Sequence, residues 1–375
     1  MTDQTKHDPI AGHASELKTK AARIADFLDR HQLSALLLSR HENIAWATAG
    51  QVEARVGLGS ETAVTSLLIT RDGHRYYLAP NNEGPRLAAE EFTSLDYEPV
   101  LYPWYETAVP HIQKLVGAGV LGSDTARANA THVNLGSLRA PLLETEIERY
   151  RVLGRESAAA TAAVLESLQP GVTEYEMAAR TSAALWSRGI APTVLLMGTD
   201  DRIRKYKHAV PRKGILDRYG MLNLCARKWG LVVSITRFVH FGPAPAALAE
   251  SFTHIAQVNS ALLHATRPGA TSATIYAAAQ KAYAAVGAAE DIQLHHQGGP
   301  CGYVERDWII TPKGEQVVAL PQSLAYNPSL RGAKVEDTVL VTNDGTEVLT
   351  PTPSLPVIET TIDGSTYLSA GVLIR

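Results

Sequence analysis

The chain is short of cysteine, of excess positive charge and of long apolar runs. Only Cys225 and Cys301 stand among its 375 residues. Two cysteines cannot build a disulfide framework for a chain this long, and a reducing compartment fits them. Lys and Arg number 35 against 38 Asp and Glu, for a net charge of −3. Neutralising a phosphate backbone needs a basic surface, so nucleic acid is excluded as the main partner. No stretch of about 18 apolar residues occurs, so no membrane-spanning helix is expected. The opening MTDQTKHDPIAGHASELK has no apolar core of the kind a signal peptide carries. It reads as a flexible arm over residues 1–14, and the expected location is cytoplasmic.

What is present is a chain that is 45% hydrophobic and long enough for two domains. Residues 15–33 place Leu17, Ala21, Ile24 and Leu28 at helical spacing. SALLLS (34–39), NIAWATA (43–49), TSLLIT (65–70) and HRYYLAP (74–80) read as strands, with Arg71-Asp72-Gly73 as a turn. With a helix over 83–92, this predicts an N-terminal mixed-sheet domain at 15–140. A long helix starts near Glu144 and opens a second domain at 141–375. Within it VLESLQPGVTEYEMAAR is echoed by LLHATRPGATSATIYAAAQ, with Pro-Gly at 170–171 and again at 268–269. Each pair ends one helix, and Thr173 with Glu176 forms a capping box for the next. Two helix–PGxT–helix units suggest pseudo-twofold halves, so the overall class is α/β (α+β).

Three blocks carry the chemistry. They are LNLCARKWGLVVSITRFVHFG from Leu222, LHHQGGPCGYVERD from Leu294, and AYNPSLRGAKVEDTVLVTNDGTEVLT from Ala325. Together, in this order, they resemble the metallopeptidase family that includes methionine aminopeptidase, prolidase, aminopeptidase P and the metal-free hydrolase creatinase. The resemblance implies a creatinase-like N-terminal domain and a C-terminal pita-bread domain. In metal-bearing members two Asp, one His and two Glu hold a pair of divalent metals. Here those positions are Asn223, Ser234 (223 + 11), Gly299, Asn327 and Glu336. Asn and Ser are neutral and Gly has no side chain, whereas such cations need carboxylate or imidazole. One Glu of five ligands cannot hold two metals, so no metal and no cofactor is expected. His208, His240, His295 and His296 match no standard ligand spacing.

The resemblance is nearest to creatinase, which also has Asn in a Leu-Asn-Cys context and a small neutral residue at the second position. Its general acid–base histidine corresponds to His208 in KYKHAVPRKG, which implies that His208 moves a proton near neutral pH. A role in binding a substrate carboxylate is the alternative. The basic residues around His208 (Arg202, Arg204, Lys205, Lys207, Arg212, Lys213) would lower its pKa and favour an anion where they face the pocket. In HHQGGPCGYVERD, His295 keeps the first family histidine, while His296, Gln297, Tyr303 and Glu305 add polar reach. Arg306 offers a fork of donors. Cys301 has no partner pattern of a cysteine nucleophile and is more often a buried apolar group. Glu336 is expected to pair with Arg237 or Arg306, or else to share proton transfer. Creatinase's substrate-gripping glutamates align with Thr236 and Asn327, which argues against a cationic substrate.

The expected function is a metal-independent, creatinase-like step on a C–N bond of a small neutral or anionic molecule. An amide, an amidine or an N-acyl amino acid fits, with a proline-like group plausible. Hydrolysis and group transfer both fit, as does a place in bacterial specialised metabolism. His208, Glu336, Arg306 and Tyr303 are the catalytic candidates. His295, His296, Gln297, Cys301, Glu305, Arg237, Asn223, Ser234, Asn327 and Arg55 are the binding candidates. Arg55 enters because family members commonly dimerise, with one N-terminal domain reaching the neighbouring site. The rival is a pita-bread pseudoenzyme that serves as a binding module, although long acidic tails of the histone-chaperone type are absent.

Overall fold

The computed structural model describes residues 13–375. Residues 1–12, most of the expected arm, lie outside the described residues, and His13 already opens a helix that runs to Arg30. The chain divides near residue 140 into two compact units. One runs up to Arg139 with Leu143–Glu146, and the other comprises Ala140–Leu142 and Ile147–Arg375.

The N-terminal unit is built on strands β1 (Ala35–Arg40), β2 (Thr62–Thr70), β3 (Arg75–Pro80), β4 (Glu98–Tyr102), β5 (Leu121–Ser123) and β6 (Thr131–His132). They form one sheet in the order β4-β3-β2-β1-β5-β6. Pairing is antiparallel through β1, β2 and β3 and parallel at β3–β4, β1–β5 and β5–β6, so the sheet is mixed. Ala35, Leu37, Leu68, Leu78 and Ile112 form its core cluster. One expected strand is a helix instead: NIAWATA belongs to the helical turn His41–Ala47, in which His41 and Asn43–Ala47 are buried. A short apolar run buried on all sides has no period that separates strand from helix.

In the C-terminal unit the half-hidden repeat becomes visible. The helix Glu144–Ser167 is followed by Glu174–Trp186, and Ala246–Ala265 by Ser272–Ala285. Gly171 and Gly269 both adopt positive φ, at 95° and 79°, a region open to glycine at little cost. Thr173 and Glu176 make the full capping box, while Thr271 caps the matching helix through the Thr274 N–H. The same β-bridge recurs in each half, Thr173 with Ile215 and Thr271 with Val317.

Each half then contributes a sheet, antiparallel throughout in the second and with one parallel edge strand in the first. The first holds β7 (Ala191–Thr199), β8 (Tyr219–Lys228) and β9 (Leu231–His240), with Val372–Ile374 running parallel along β9. The second holds β10 (Gly298–Cys301), β11 (Gln322–Tyr326), β14 (Asp337–Thr342) and β15 (Gly345–Val348), with a small hairpin, β12 (Ser329–Leu330) and β13 (Ala333–Lys334), before β14. Two apolar clusters lie behind the sheets: Leu165, Met177, Met197, Leu222 and Val239 in one, and Phe252, Ile275, Leu324 and Tyr326 in the other. The sheets meet at β9 and the start of β14. There the Thr236 N–H donates to the Glu336 carbonyl at 3.0 Å, and the Ser234 N–H donates to Thr338 Oγ1 at 2.8 Å. That junction sets the geometry of the candidate site.

Candidate active site

Strand alternation selects the side chains that face one another. In the β8–β9 ladder Asn223 lies opposite Thr236 and Cys225 opposite Ser234, so these four share one face. Leu222 and Arg237, also paired, share the other. This corrects the placement of Arg237 in the pocket. Its fully buried guanidinium forms an ion pair with Asp337 at 2.5 Å and donates to the Thr350 carbonyl, Thr352 Oγ1 and the Thr236 carbonyl at 2.7–2.8 Å. Arg237 is a cross-strand strut behind the site, and Glu336 pairs elsewhere.

Glu336 is the centre of the site. It is 3% exposed, yet both of its oxygens are filled. Oε2 accepts from Asn223 Nδ2 at 2.5 Å and Thr236 Oγ1 at 2.7 Å, and faces Lys334 Nζ at 2.8 Å. Oε1 faces Arg306 Nη2 at 3.0 Å. Arg306 Nη1 donates to Ser234 Oγ at 3.0 Å and to the Glu305 carbonyl at 2.5 Å. Ser234 Oγ is in turn 3.3 Å from Cys225 Sγ. Burial alone would push the Glu336 carboxyl up, but the charges of Lys334 and Arg306, with hydrogen bonds from Lys334 and Thr236, hold it at about 2. It is an anion at neutral pH, which argues against the proton-sharing role. Lys334 was not among the sequence candidates, although it sits two residues before Glu336, where alternation puts it on the same side.

Beside this cluster are three imidazoles. His208 lies between the helix Asp201–Lys205 and β8, and His295 and His296 follow the short helical turn Asp291–Leu294. The Nε2 atoms of His208 and His295 are 3.1 Å apart, and the His295 and His296 rings stack at 4.4 Å. His296 Nδ1 accepts from the Gly298 N–H at 3.2 Å. Burial, then the Lys334 charge, lowers the pKa of His208. Burial with the Lys334 charge and the neighbouring imidazoles takes His295 down to about 3. Burial, then the Arg306 and Lys334 charges, takes His296 to about 4. All three are neutral at pH 7, so each can offer a nitrogen lone pair. The basic run around His208 is engaged elsewhere: Arg202 pairs with Glu174 at 2.8 Å, Lys205 with Asp201 at 3.4 Å, and Lys207 donates to Ser329 at 3.0 Å. The positive charge felt by the imidazoles comes from Lys334 and Arg306.

The remaining candidates divide. Asn327 is buried, and its Oδ1 has no partner among the described residues. Gln297 is buried with its side chain committed to Tyr283 Oη (2.9 Å) and the His295 carbonyl (2.7 Å), so it orients the histidine loop. Cys301 is 2% exposed, its thiol is pushed up to about 11 by burial, and Tyr150 Oη lies 4.0 Å from its sulfur. That is a structural thiol, not a nucleophile. Tyr303 is buried and Glu305 half-buried. Arg55 belongs to the N-terminal unit, where its N–H donates to Glu53 at 3.1 Å and its Nη1 to the Leu58 carbonyl at 3.4 Å.

A two-unit chain with a mixed-sheet N-terminal part and a pseudo-symmetric pair of helix–helix–sheet halves defines the creatinase/prolidase architecture. The comparisons agree. Residues 148–343 match the model of metallopeptidase family M24, and residues 20–188 match the creatinase/prolidase N-terminal domain. The chain belongs to family M24. It is 28% identical over 231 residues to the probable dipeptidase PepE of Mycobacterium tuberculosis, covering 56% of this chain and 58% of that protein. It therefore spans somewhat under two thirds of that relative. It is 37% identical over 115 residues to the agropine synthesis cyclase of Rhizobium rhizogenes, 29% of either chain. The prolidase from Pyrococcus horikoshii OT3 shares the fold with a TM-score of 0.73 and 18% identity, over 89% of this chain and 98% of that one.

The residues present do not fit the metal pair that the family implies. Three of the five ligand positions, Asn223, Ser234 and Asn327, carry neutral side chains. At Gly299 an added Cβ would lie 2.3 Å from the backbone oxygen of Trp308. That segment is pinned by the Asp307 N–H on the Pro300 carbonyl (2.8 Å) and the Ile310 N–H on the Gly298 carbonyl (3.0 Å). No imidazole can be housed there without moving backbone. The one retained ligand, Glu336, already has a cation on each oxygen. Those two cations are Lys334 and Arg306. Among the described residues no helix is long and apolar enough to cross a membrane.

Proposed function

We propose that this chain is a metal-independent enzyme acting on an amide-like C–N bond of a small neutral or anionic molecule. The observation that carries the reading is the saturated Glu336. Its oxygens hold Lys334, Arg306, Asn223 and Thr236 instead of metals, and three neutral imidazoles lie alongside. A nucleophile adds to the carbonyl carbon as its proton passes to His208. The C–N bond then breaks as that proton passes on to the leaving nitrogen. Such proton transfer contributes roughly 10²–10⁴ in rate. The guanidinium of Arg306, aimed by Glu336 and Ser234, offers positive charge to the developing oxyanion. A pseudoenzyme fits less well, because burying this ion cluster is costly to fold and supplies no docking surface.

A second reading, intramolecular cyclisation, is favoured by the stretch shared with agropine synthesis cyclase. There the substrate's own nucleophile would stand in for water, with the same proton route. Homodimerisation, with Arg55 reaching a partner's site, remains part of the proposal. So does a place in bacterial specialised metabolism.

The test is turnover of N-acyl amino acids, small amides and cyclic amidines, with mass balance distinguishing uptake of water from release of the amine without water uptake. Chelator treatment should leave the rate unchanged, and His208→Gln should lower it by about 10²–10⁴ without unfolding the chain. Activity that vanishes with chelator and returns with manganese, cobalt or zinc overturns the metal-independent reading. Full activity in His208→Gln removes the proposed acid–base group.

A further inference from the structure

Sequence spacing alone did not join His208 to His295 and His296, but the fold does. One ligating atom from each of the three lies within 4.8 Å of the others. We propose that these histidines form a binding site for a borderline divalent transition metal such as Zn²⁺, Ni²⁺ or Cu²⁺, distinct from the family's metal position, and that an ion there inhibits the enzyme.

The core of the site is the Nε2–Nε2 approach of His208 and His295 at 3.1 Å. Two nitrogens each about 2.0–2.1 Å from one Zn²⁺ can be that far apart. Their rings meet at 79°, so the two lone pairs can converge on one point from different directions. In the metal-free state one of these nitrogens must donate a proton to the other. A neutral imidazole can carry its proton on either nitrogen, so moving it to Nδ1 frees both Nε2 atoms for an ion. His296 is the third ligand. The Gly298 N–H on its Nδ1 favours a proton on Nε2, so His296 binds by giving up that hydrogen bond. The pair therefore chelates first and His296 completes the site.

An all-imidazole set selects zinc, copper or nickel and disfavours magnesium and calcium, which want oxygen. Glu336 does not join, because both its oxygens are held. His208 is exposed and provides the way in. The inhibitory half rests on the proposed function, since a bound ion would occupy the lone pair that His208 needs to accept a proton. The binding half does not.

The experiment is a titration of the chelator-stripped full chain with Cu²⁺, followed by electron paramagnetic resonance, and with Zn²⁺, followed by calorimetry. The expected result is one ion per chain and a copper spectrum showing coordination by at least two imidazole nitrogens. His208→Gln and His295→Gln should each weaken binding by at least about tenfold, while Glu336→Gln should leave the copper spectrum unchanged. Absence of a stoichiometric ion, a spectrum without imidazole nitrogen, or full affinity in both histidine variants overturns the site. Loss of the spectrum in Glu336→Gln would instead assign the ion to the family position. One equivalent of Zn²⁺ should suppress turnover, and full turnover with the site filled overturns the inhibitory role.

Discussion

Lys334→Met removes one of the two cations on Glu336 while keeping most of the side-chain volume. Lys334 is 7% and Glu336 3% exposed, so solvent replaces little of what is lost. The carboxyl is held at about 2 against an ordinary 4.5, a difference worth roughly 3–4 kcal/mol at about 1.4 kcal/mol per pKa unit. Stripping one partner from a buried pair typically costs about 3–5 kcal/mol, because the other charge stays behind. Arg306, Asn223 and Thr236 still hold the carboxylate in the variant, so the expected loss is about 3 kcal/mol, near the low end. Urea denaturation at pH 7 measures it, with coincident probes assigning the transition of the C-terminal unit. The loss should shrink in acid, since the variant's Glu336 takes up a proton at a higher pH than the wild type's. Lys334→Met combined with Glu336→Gln should recover about 1–3 kcal/mol of coupling. A loss under about 1 kcal/mol, within the range of a solvated ion pair, would refute the view that these charges replace metals.

Acid should destabilise the fold. The unfolded imidazoles of His295 and His296 titrate near 6.5, but in the folded chain they resist protonation down to about 3 and 4. Their contribution is therefore full above about pH 6.5 and falls as pH drops below it. Glu336 adds a loss between 4.5 and about 2, so equal urea midpoints at pH 7.5 and pH 5 would contradict the histidine assignment. Gly299→Ala should destabilise the C-terminal unit through the 2.3 Å approach to the Trp308 carbonyl, by about 1–3 kcal/mol as for other overpacked positions. A wild-type melting temperature would show that the segment yields. Gly154→Ala should cost at least as much, because its Cβ would meet the Leu349 carbonyl oxygen at 1.9 Å; thermal unfolding checks it.

Much of this molecule was legible in its sequence. The helices around Pro170-Gly171 and Pro268-Gly269 carried their own caps, and the capping box at Thr173 appears as read. Local signals of that kind need no tertiary context. The positions 223, 234, 299, 327 and 336 are marked by the resemblance to the metallopeptidase family, and the strands bring Asn223 and Glu336 of that set into contact. What escaped required knowing which strand faces which. Arg237 looked like a partner for Glu336 by neighbourhood, yet alternation turns it to Asp337. Lys334 belongs to no motif, and only a period of two from Glu336 points to it. The histidine cluster spans 87 residues between His208 and His295, and no local pattern encodes a contact closed by tertiary folding. NIAWATA failed for a different reason, since full burial erases the amphipathic period.

The charge cluster at Glu336 also bears on how this chain can change. A conventional view would treat the lost ligands as a deficit that a few reversions could repair. The contacts imply otherwise. Asn223→Asp would place a second carboxylate 2.5 Å from Glu336, whose oxygens are already paired with Lys334 and Arg306. Removing Lys334 first would leave Glu336 a buried anion short of a counter-ion. Any imidazole at position 299 meets a backbone carbonyl before it can reach a metal. Each single step back is expected to pass through a less stable protein. The site is thus epistatically locked, and descent from a metalloenzyme would be easier to travel than the return.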